Sequence, residues 1–132
     1  MALTPWSTQE IATAPVVSAP DGSTVRVLCA TGRGSMISFT LPPGAVSRPV
    51  EHRTVEEIWF VVAGRGRLWR KRDIGEEEVA LAPGVSLTVP VDTSFQFRND
   101  GGGPLQIVAV TMPPWPGDGE AIAAKGAWPA TL

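Results

Sequence analysis

The sequence predicts a single all-β domain of short strands joined by tight turns. Its 132 residues include 14 glycines and 13 prolines, which are spread along the chain rather than clustered. Between them lie short runs rich in β-branched and aromatic residues, of which IWFVV at 58–62 is the clearest. Many short strands separated by Gly and Pro are typical of sandwiches and barrels, and this length suits one domain with a buried core.

The N-terminal part of the chain predicts one helical turn followed by a strand. Residues 7–10 (STQE) have the spacing of a capping box, which favours a short helical turn. Residues 24–30 alternate in polarity, so Val25, Val27 and Cys29 are expected to face inward. Cys29 is expected to pack as a small apolar side chain, because no His or Lys beside it in sequence would lower the pKa of its thiol.

The middle of the chain predicts a series of strands interrupted by one acidic segment. Asp73 to Glu78 is expected to be a solvated loop tip. A cation site there is the weaker alternative, because carboxylates without ligand spacing are poor evidence for one. The strands are expected at 35–41, 58–62, 67–72, 79–81, 85–89, 95–99 and 105–111.

The C-terminal segment, 112–132, has a different character from the rest of the chain. Its stretch MPPWPGDG at 112–119 contains three prolines, which hold the backbone extended. Trp115 is expected to pack onto the domain, because a lone exposed tryptophan would leave a large apolar surface in water. Trp128 is expected to anchor the tail in the same way. A proline-rich ligand for a partner's aromatic groove is the alternative.

Residues 44–64, GAVSRPVEHRTVEEIWFVVAG, contain the one histidine of the chain, His52, and a glutamate pair. Gly44, His52, Glu57 and Gly64 have the spacing of the first sequence motif of the cupin family, and the stretch resembles that motif. It departs at one position, where Val50 stands in place of the first motif histidine.

Residues 75–99 resemble the second cupin motif. Pro83-Gly84, Pro90 and Asn99 fit this motif, and Phe95 stands in place of its histidine. The stretches HRTVEEIWFV, FQFRN and PPWPG also look like those of a group of small single-domain cupins. The resemblance covers about Ser35 to Thr111. It implies one cupin domain over 1–132, an all-β double-stranded β-helix or jelly-roll barrel. The barrel core would lie at about 24–111, with the tail 112–132 packing on it.

The resemblance also implies a candidate site inside the barrel. The motif glutamate, Glu57, faces the lumen of a cupin, and side chains alternate along a strand, so Trp59 should line the lumen too. By the same rule Phe95, Phe97 and Asn99 share a face, and the resemblance implies that this face is inside. Trp59, Phe95 and Phe97 are therefore candidate ligand-binding residues in an apolar lumen better suited to a carbon skeleton than to an ion.

His52 and Glu57 are the candidate catalytic residues. Five positions apart, they would point to opposite faces of one regular strand, so they converge only if the chain bends near Arg53-Thr54, as the motif implies. A carboxylate beside an imidazole would form an acid–base pair, whose pKa values depend on whether burial or mutual charge dominates. The alternative is a vestigial pair that catalyses nothing. Arg53, with Arg48 and Arg98 near the motif's mouth, is a further candidate ligand contact through its guanidinium.

No metal and no other cofactor is expected. Metal-binding cupins use three histidines and a glutamate, and Val50 and Phe95 occupy two of those positions without a donor atom, whereas a transition metal normally takes three or four protein ligands. Three functions follow from this pattern. The first is a metal-independent isomerase, cyclase or lyase acting on a small molecule; the second is a non-catalytic small-molecule-binding cupin; the third is a metal-dependent dioxygenase-type cupin with a reduced ligand set.

Charge and composition limit the classes of partner to be expected. A net charge of −2 gives no reason to expect nucleic acid or an anionic membrane as a partner. No apolar run approaches the ~20 residues of a membrane helix, and the N-terminus lacks the pattern of a signal peptide. A single cysteine excludes an internal disulfide framework. These features favour a cytoplasmic protein with a small-molecule partner. Pairing into a homodimer through the outer sheet is common among cupins.

Overall fold

The computed structural model describes residues 5–132, and in it two antiparallel β-sheets face each other across an apolar core. This confirms the all-β prediction. No helix in the described part of the chain is long and apolar enough to cross a membrane. The strands are β1 (Val16–Ser18), β2 (Thr24–Ala30), β3 (Ser35–Leu41), β4 (Val50–His52), β5 (Glu56–Ala63), β6 (Gly66–Arg72), β7 (Gly75–Leu81), β8 (Ser86–Val89), β9 (Ser94–Asn99), β10 (Leu105–Met112) and β11 (Ala121–Ala123).

The order of strands explains how the central motif reaches the interior from two sides. One sheet has the order β1-β2-β3-β10-β5-β8, and the other has the order β11-β4-β9-β6-β7. Strands β4 and β5 therefore belong to different sheets, and the chain crosses between them over residues 53–55. His52 ends β4 in one sheet and Glu57 lies near the start of β5 in the other. Because the two residues lie on different strands, their odd spacing in sequence does not place them on opposite faces of one strand. The bend expected near Arg53-Thr54 is confirmed.

The alternation predicted for β5 is confirmed. Glu57, Trp59 and Val61 are buried, whereas Ile58 and Phe60 are about half exposed on the outer face of the sheet. Because side chains on a strand alternate between its two faces, the buried set lies between the two sheets. The strand thus carries one carboxyl group and one indole ring into the domain interior.

The helical turn lies further along the chain than expected. It is a single 3-10 turn at Ile11–Thr13. Glu10 occupies its N-cap position but makes no side-chain capping hydrogen bond, so the capping box read at 7–10 does not form. The turn is only three residues long and none of them is buried. So short a helix has few backbone hydrogen bonds, and a capping sequence therefore does little to determine where it begins.

The inward face predicted for β2 is only partly observed. Val25 is buried, but Val27 is 39% exposed and Cys29 is half-buried. Val27 keeps the inward side all the same, since it lines the open space between the two sheets. Cys29 lies within an irregularity in the pairing with β3, where Val27 lies opposite Ile37 and Ala30 opposite Ser35. The β2 side thus has one residue more than the β3 side between these pairs. Such a bulge reverses the faces of the residues that follow it, which strict alternation in sequence does not reveal.

The acidic segment predicted as a loop tip is a strand from its third residue onward. Strand β7 begins at Gly75 and pairs with β6 in a continuous antiparallel ladder. Glu77 faces Arg70 at 2.5 Å, and the carboxylate of Glu76 accepts a hydrogen bond of 2.6 Å from Nε1 of Trp69. The glutamates are thus the cross-strand partners of a basic strand. The acidic run alone does not predict this strand, because the basic residues that pair with it lie on the preceding strand.

The tail adds to the five-stranded sheet. Strand β11 pairs with β4, so that Ala121 lies opposite His52. Further on, the amide of Gln96 in β9 donates 2.8 Å hydrogen bonds to the carbonyl oxygens of Ser47 and Trp128. Its oxygen accepts from the backbone N–H groups of Ala127 and Trp128, both at 3.0 Å. Gln96 is fully buried because the tail covers it.

Candidate functional site

A cavity of about 340 Å³ opens between the sheets beside His52. Most of its lining is apolar and includes the rings of Phe39, Trp59, Phe95 and Trp115. The titratable side chains in that lining are Asp21, His52 and Glu57, and no Lys or Arg is among the described residues that form it. A mostly apolar pocket with a few convergent polar groups is the usual form of a small-molecule site.

The structure brings only part of the predicted ligand-binding set to this cavity. Trp59 and Phe95 line it. Phe97 is fully buried one layer deeper, with its ring 5.2 Å from that of Trp59 and 5.4 Å from that of Phe39. Alternation assigned Phe97 to the correct face of β9, but it does not tell how deep in the barrel a residue lies.

The arginines proposed as ligand contacts all lie outside the cavity. The side chain of Arg53 is exposed. Arg48 donates from Nε to the carbonyl oxygen of Leu132 at 2.8 Å. Arg98 binds Asp100 at 2.9 Å and stacks over the ring of Trp128, 4.4 Å from its centroid. The expectation that Arg53 contacts a ligand in the lumen is therefore not met by this geometry, because the crossover between the sheets turns the residue outward.

His52 is held by aromatic rings rather than by hydrogen bonds. It is 6% exposed, and its ring meets Phe95 and Trp115 edge to face at centroid distances of 5.1 and 5.0 Å. Among the described residues Nδ1 of His52 has no hydrogen-bond partner. Burial lowers the pKa of His52 to about 4, although the charge of Glu120 opposes the shift. The imidazole is therefore neutral at neutral pH, and its Nδ1 is enclosed without a partner among the described residues.

Glu57 has the opposite shift. It is 5% exposed, and its Oε1 accepts a hydrogen bond of 2.9 Å from Nε1 of Trp59. Burial raises the pKa of Glu57 to about 7; the Trp59 hydrogen bond lowers it, and the negative charge of Asp21 adds to the rise. The carboxyl group therefore exchanges its proton near neutral pH, as a general acid or base must.

His52 and Glu57 share the cavity, but they do not form the direct pair expected from the motif. No hydrogen bond joins them, because Glu57 bonds the indole two residues further along its own strand. Their electrostatic neighbours are also different from those expected: Glu120 acts on His52, and Asp21 acts on Glu57. The two groups face one volume from opposite sheets, with space for a small molecule between them.

Asp21 also lines the cavity, although Asp21-Gly22 in the sequence indicates no more than a turn. It lies between β1 and β2, where Gly22 adopts a φ of 91°. Its Oδ1 accepts hydrogen bonds from the backbone N–H of Ser23 at 2.9 Å and from the Ser23 hydroxyl at 2.7 Å. Burial raises the pKa of Asp21, and the Ser23 hydrogen bonds and the charge of Arg48 oppose the rise. The Asp-Gly-Ser turn thus delivers a second carboxyl group to the lumen.

Glu120 fixes the crossover that positions the site. Its Oε1 accepts hydrogen bonds from the backbone N–H groups of Thr54 and Val55, both at 2.6 Å, and its Oε2 accepts from the Thr54 hydroxyl at 2.9 Å. Burial opposes ionisation, but these hydrogen bonds and the nearby His52 lower the pKa of Glu120. No sequence signal connected Glu120 to this loop, because the contact joins residues 65 positions apart.

The residues present do not fit the four-ligand metal site of the motif. Val50 and Phe95 are buried directly opposite each other on β4 and β9, and neither side chain has a donor atom. Within residues 5–132 no group of three or more His, Cys, Asp or Glu side chains is arranged to hold a metal ion. His52 and Glu57 alone fall short of the three or four ligands that a transition metal normally takes.

Restoring the two imidazoles is expected to rebuild a metal site. The double variant Val50→His with Phe95→His should bind about one divalent metal per chain, whereas the unmodified protein should bind less. Without metal the variant should lose about 2–4 kcal/mol of stability, because polar rings replace buried apolar groups. A thousandfold excess of metal over its dissociation constant should return about 4 kcal/mol.

Elemental analysis and melting curves with and without metal measure both effects. Either single variant serves as the matched control, with one imidazole fewer. One metal per chain in the unmodified protein would contradict the conclusion that its side chains supply too few ligands. A double variant that gains neither metal nor metal-dependent stability would show that the two positions do not face His52 and Glu57.

Comparison with known proteins identifies the sequence and fold relatives of this chain. Residues 37–111 match the family model described as a cupin domain. The uncharacterized protein MJ1618 of Methanocaldococcus jannaschii is 27% identical over an alignment of 100 residues that covers 72% of this chain and 77% of that protein. The matched region of the family model contains both motif segments, including His52, Glu57 and Phe95.

Solved structures show the same fold at low identity. KdgF from a Halomonas species superposes with a TM-score of 0.69 at 18% identity, over 81% of this chain and 94% of KdgF. The capsular polysaccharide assembling protein CapF of Staphylococcus aureus superposes with a TM-score of 0.69 at 17% identity, over 84% of this chain. The chain spans only 34% of CapF. These likenesses confirm the double-stranded β-helix that the motif resemblance implies, and at such identities they show the fold alone.

Proposed function

The chain belongs to the cupin family, and we propose that within this family it is a metal-independent enzyme that transfers protons on a small organic molecule. An isomerase, cyclase or lyase reaction suits the site. The main support is that two groups in one cavity have pKa values in the reverse of their ordinary order. The pKa is about 4 for His52 and about 7 for Glu57. Two titratable groups whose environments push their pKa values apart are the usual arrangement for acid and base roles.

In this mechanism His52 is the base and Glu57 is the acid. The neutral imidazole of His52 accepts a proton from a C–H or O–H of the substrate. Protonated Glu57 donates a proton to an oxygen or nitrogen of the same molecule, so the substrate gains one proton and loses another. One turnover leaves His52 positively charged and Glu57 ionised, and proton exchange with water returns both to their resting state. Trp59 holds the Glu57 carboxyl in place through its N–H.

The environment sets the resting protonation states that these roles require. An apolar cavity disfavours charge, so it keeps the imidazole neutral and the carboxyl protonated before substrate arrives. The rings around the lumen hold a carbon skeleton, and general acid–base catalysis of this kind contributes about 10²–10⁴-fold in rate. No step requires the missing histidines at the positions of Val50 and Phe95.

A non-catalytic binding protein is the second candidate, and one observation favours it. Glu57 already has a partner in Trp59, and His52 and Glu57 make no hydrogen bond with each other. The cavity would then hold a small molecule without changing it. A dioxygenase-type reaction ranks third, because the donor set does not fit the metal it needs.

A deuterium-incorporation experiment separates the first two candidates. Chelator-treated protein is incubated in D₂O with a mixture of small cyclic ketones, enols and hydroxy acids, and mass spectrometry follows each compound. We expect one or more of these compounds to be converted or to gain deuterium. His52→Ala should lower that rate by about 10²–10⁴-fold, and Glu57→Gln should also lower it.

The matched control is Glu56→Gln, which removes the neighbouring carboxylate from the exposed face of β5 and should leave the rate unchanged. Equal conversion by the unmodified protein and His52→Ala would contradict the proposed roles. Saturable binding of a compound that is neither converted nor deuterated would support the binding candidate instead.

A further inference from the structure

Among residues 5–132, two of the side chains that line the cavity each have one carboxylate oxygen without a hydrogen-bond partner. Glu57 uses Oε1 to accept from Trp59, and Asp21 uses Oδ1 to accept from Ser23. Among the described residues, Oε2 of Glu57 and Oδ2 of Asp21 make no hydrogen bond, although the residues are only 5% and 9% exposed. Neither oxygen is among the fully enclosed polar atoms without a partner, so each still has accessible surface.

No cationic side chain within residues 5–132 lines the cavity to balance these carboxyl groups. Arg48 acts electrostatically on Asp21 but is not part of the lining, and its guanidinium binds the carbonyl oxygens of Leu132 and Pro20. The other titratable group in the lining, His52, is neutral, and Glu120 behind it carries a further negative charge. Within residues 5–132 the cavity therefore has two acceptor oxygens without a hydrogen-bond partner and no cationic side chain in its lining to neutralise the two carboxyl groups when they ionise.

The rest of the wall suits a positive charge that is attached to an apolar body. Trp59 and Trp115 contribute indole rings, and the faces of such rings attract organic cations. An ammonium group supplies several N–H donors and one positive charge, which match the two free oxygens. An anionic ligand would instead meet two carboxyl groups and no cation.

We propose that the cavity binds a small apolar amine in its ammonium form, held by the free oxygens of Glu57 and Asp21 against the indole rings. This inference rests on the proposed function for the location of the site only. It concerns a bound ligand rather than the reacting molecule, because an ammonium group binds ionised Glu57, whereas the proposed acid is the protonated form. A neutral alcohol has a single O–H and could donate to only one of the two oxygens, and a carboxylate would be repelled.

Amine binding is expected to depend on pH in a direction that the site dictates. Burial raises the pKa of Glu57 to about 7, so at lower pH an ammonium ligand must displace the carboxyl proton in order to bind. The affinity should then rise by up to about tenfold per pH unit between about pH 5 and pH 7, and level off above that. Alkylammonium groups stay charged over this range, so the change comes from the protein.

Three probes with the same ring and different charge test the proposal. Benzylamine, benzyl alcohol and benzoate are titrated into the full chain by calorimetry at about pH 8 and pH 5.5. Benzylamine should bind about tenfold or more tightly than benzyl alcohol at the higher pH, and benzoate more weakly than either. Repeating the benzylamine titration at the lower pH in two buffers of different ionisation enthalpy should show release of up to about one proton.

Paired variants locate the effect. Glu57→Gln keeps an acceptor for Trp59 and should remove both the preference for benzylamine over benzyl alcohol and the proton release. Asp21→Asn should weaken benzylamine binding and spare benzyl alcohol. Glu56→Gln, the same change on the exposed face of β5, should alter neither.

Benzoate binding as tightly as benzylamine, benzylamine binding no better than benzyl alcohol, or no saturable benzylamine binding at either pH would each overturn the proposal. The His52→Ala variant separates this inference from the proposed function. If proton transfer fails in every protein but the preference for benzylamine persists, the amine site stands and the catalytic roles fall. If conversion depends on His52 but benzylamine binds no better than benzyl alcohol, the catalytic roles stand and the amine site falls.

Discussion

Replacing Glu120 with alanine is expected to lower the free energy of unfolding by about 3–5 kcal/mol. Its carboxylate accepts hydrogen bonds from the backbone N–H groups of Thr54 and Val55 and from the Thr54 hydroxyl. Val55 is fully buried, so its N–H would be left without a partner and without water. A buried donor that loses its acceptor costs about 1–3 kcal/mol, and hydrogen bonds to a charged acceptor are stronger than neutral ones.

Urea denaturation at neutral pH measures this loss. Glu120→Gln retains one acceptor oxygen and should lose roughly half as much, because its hydrogen bonds are no longer charge-assisted. Glu56→Ala removes an exposed carboxylate at the other end of the same crossover and should change stability by less than about 0.5 kcal/mol. A loss below about 1 kcal/mol for Glu120→Ala would show that the crossover is held by other contacts.

Replacing Glu57 with glutamine is expected to stabilise the protein by about 3 kcal/mol above pH 7 and to have little effect below about pH 4.5. Burial raises the pKa of Glu57 from 4.5 to about 7 in the folded state. As the pH rises through this interval the unfolded chain loses the Glu57 proton while the folded chain keeps it. Stability therefore falls, and above pH 7 the full cost of an ionised buried carboxylate is present. Glutamine has no charge to bury and still accepts from Trp59.

The measurement is the difference in unfolding free energy between variant and parent at about pH 4.5 and pH 8.5, where Glu57 is protonated and ionised respectively. Glu56→Gln on the exposed face again provides the control. A difference that is the same at both pH values would mean that Glu57 titrates normally in the folded state. That result would remove the acid from the proposed mechanism.

The sequence predicted those parts of the molecule that depend on local pattern. Strand β5 alternates over its whole length, so spacing predicted that Glu57 and Trp59 share one face, and the resemblance to the motif implied that this face is the inner one. The crossover after His52 followed from the motif. The bulge in β2 could not be predicted, because an extra residue in one strand is visible only against its neighbour.

The partners of the candidate site were beyond the reach of local pattern. Asp21 and Glu120 contribute through contacts between distant segments, and each looked like an ordinary surface carboxylate in sequence. Phe97 shows a second limit: alternation gives the face of a strand but not the depth along the barrel, so Phe95 reaches the cavity and Phe97 does not. The outward turn of Arg53 has the same origin, because the direction of a crossover residue follows from both sheets together.

The opposite shifts of His52 and Glu57 also determine how many protons the chain takes up when it folds. Between about pH 4.5 and pH 6.5 these two groups in the unfolded chain are an imidazolium and a carboxylate, whereas in the folded chain both are neutral. Folding therefore moves one proton from the histidine to the glutamate and exchanges none with the solvent through this pair. His52 alone would make stability rise with pH over that interval, and Glu57 alone would make it fall by a similar amount. The pair together leaves stability nearly independent of pH there, even though each member is strongly perturbed.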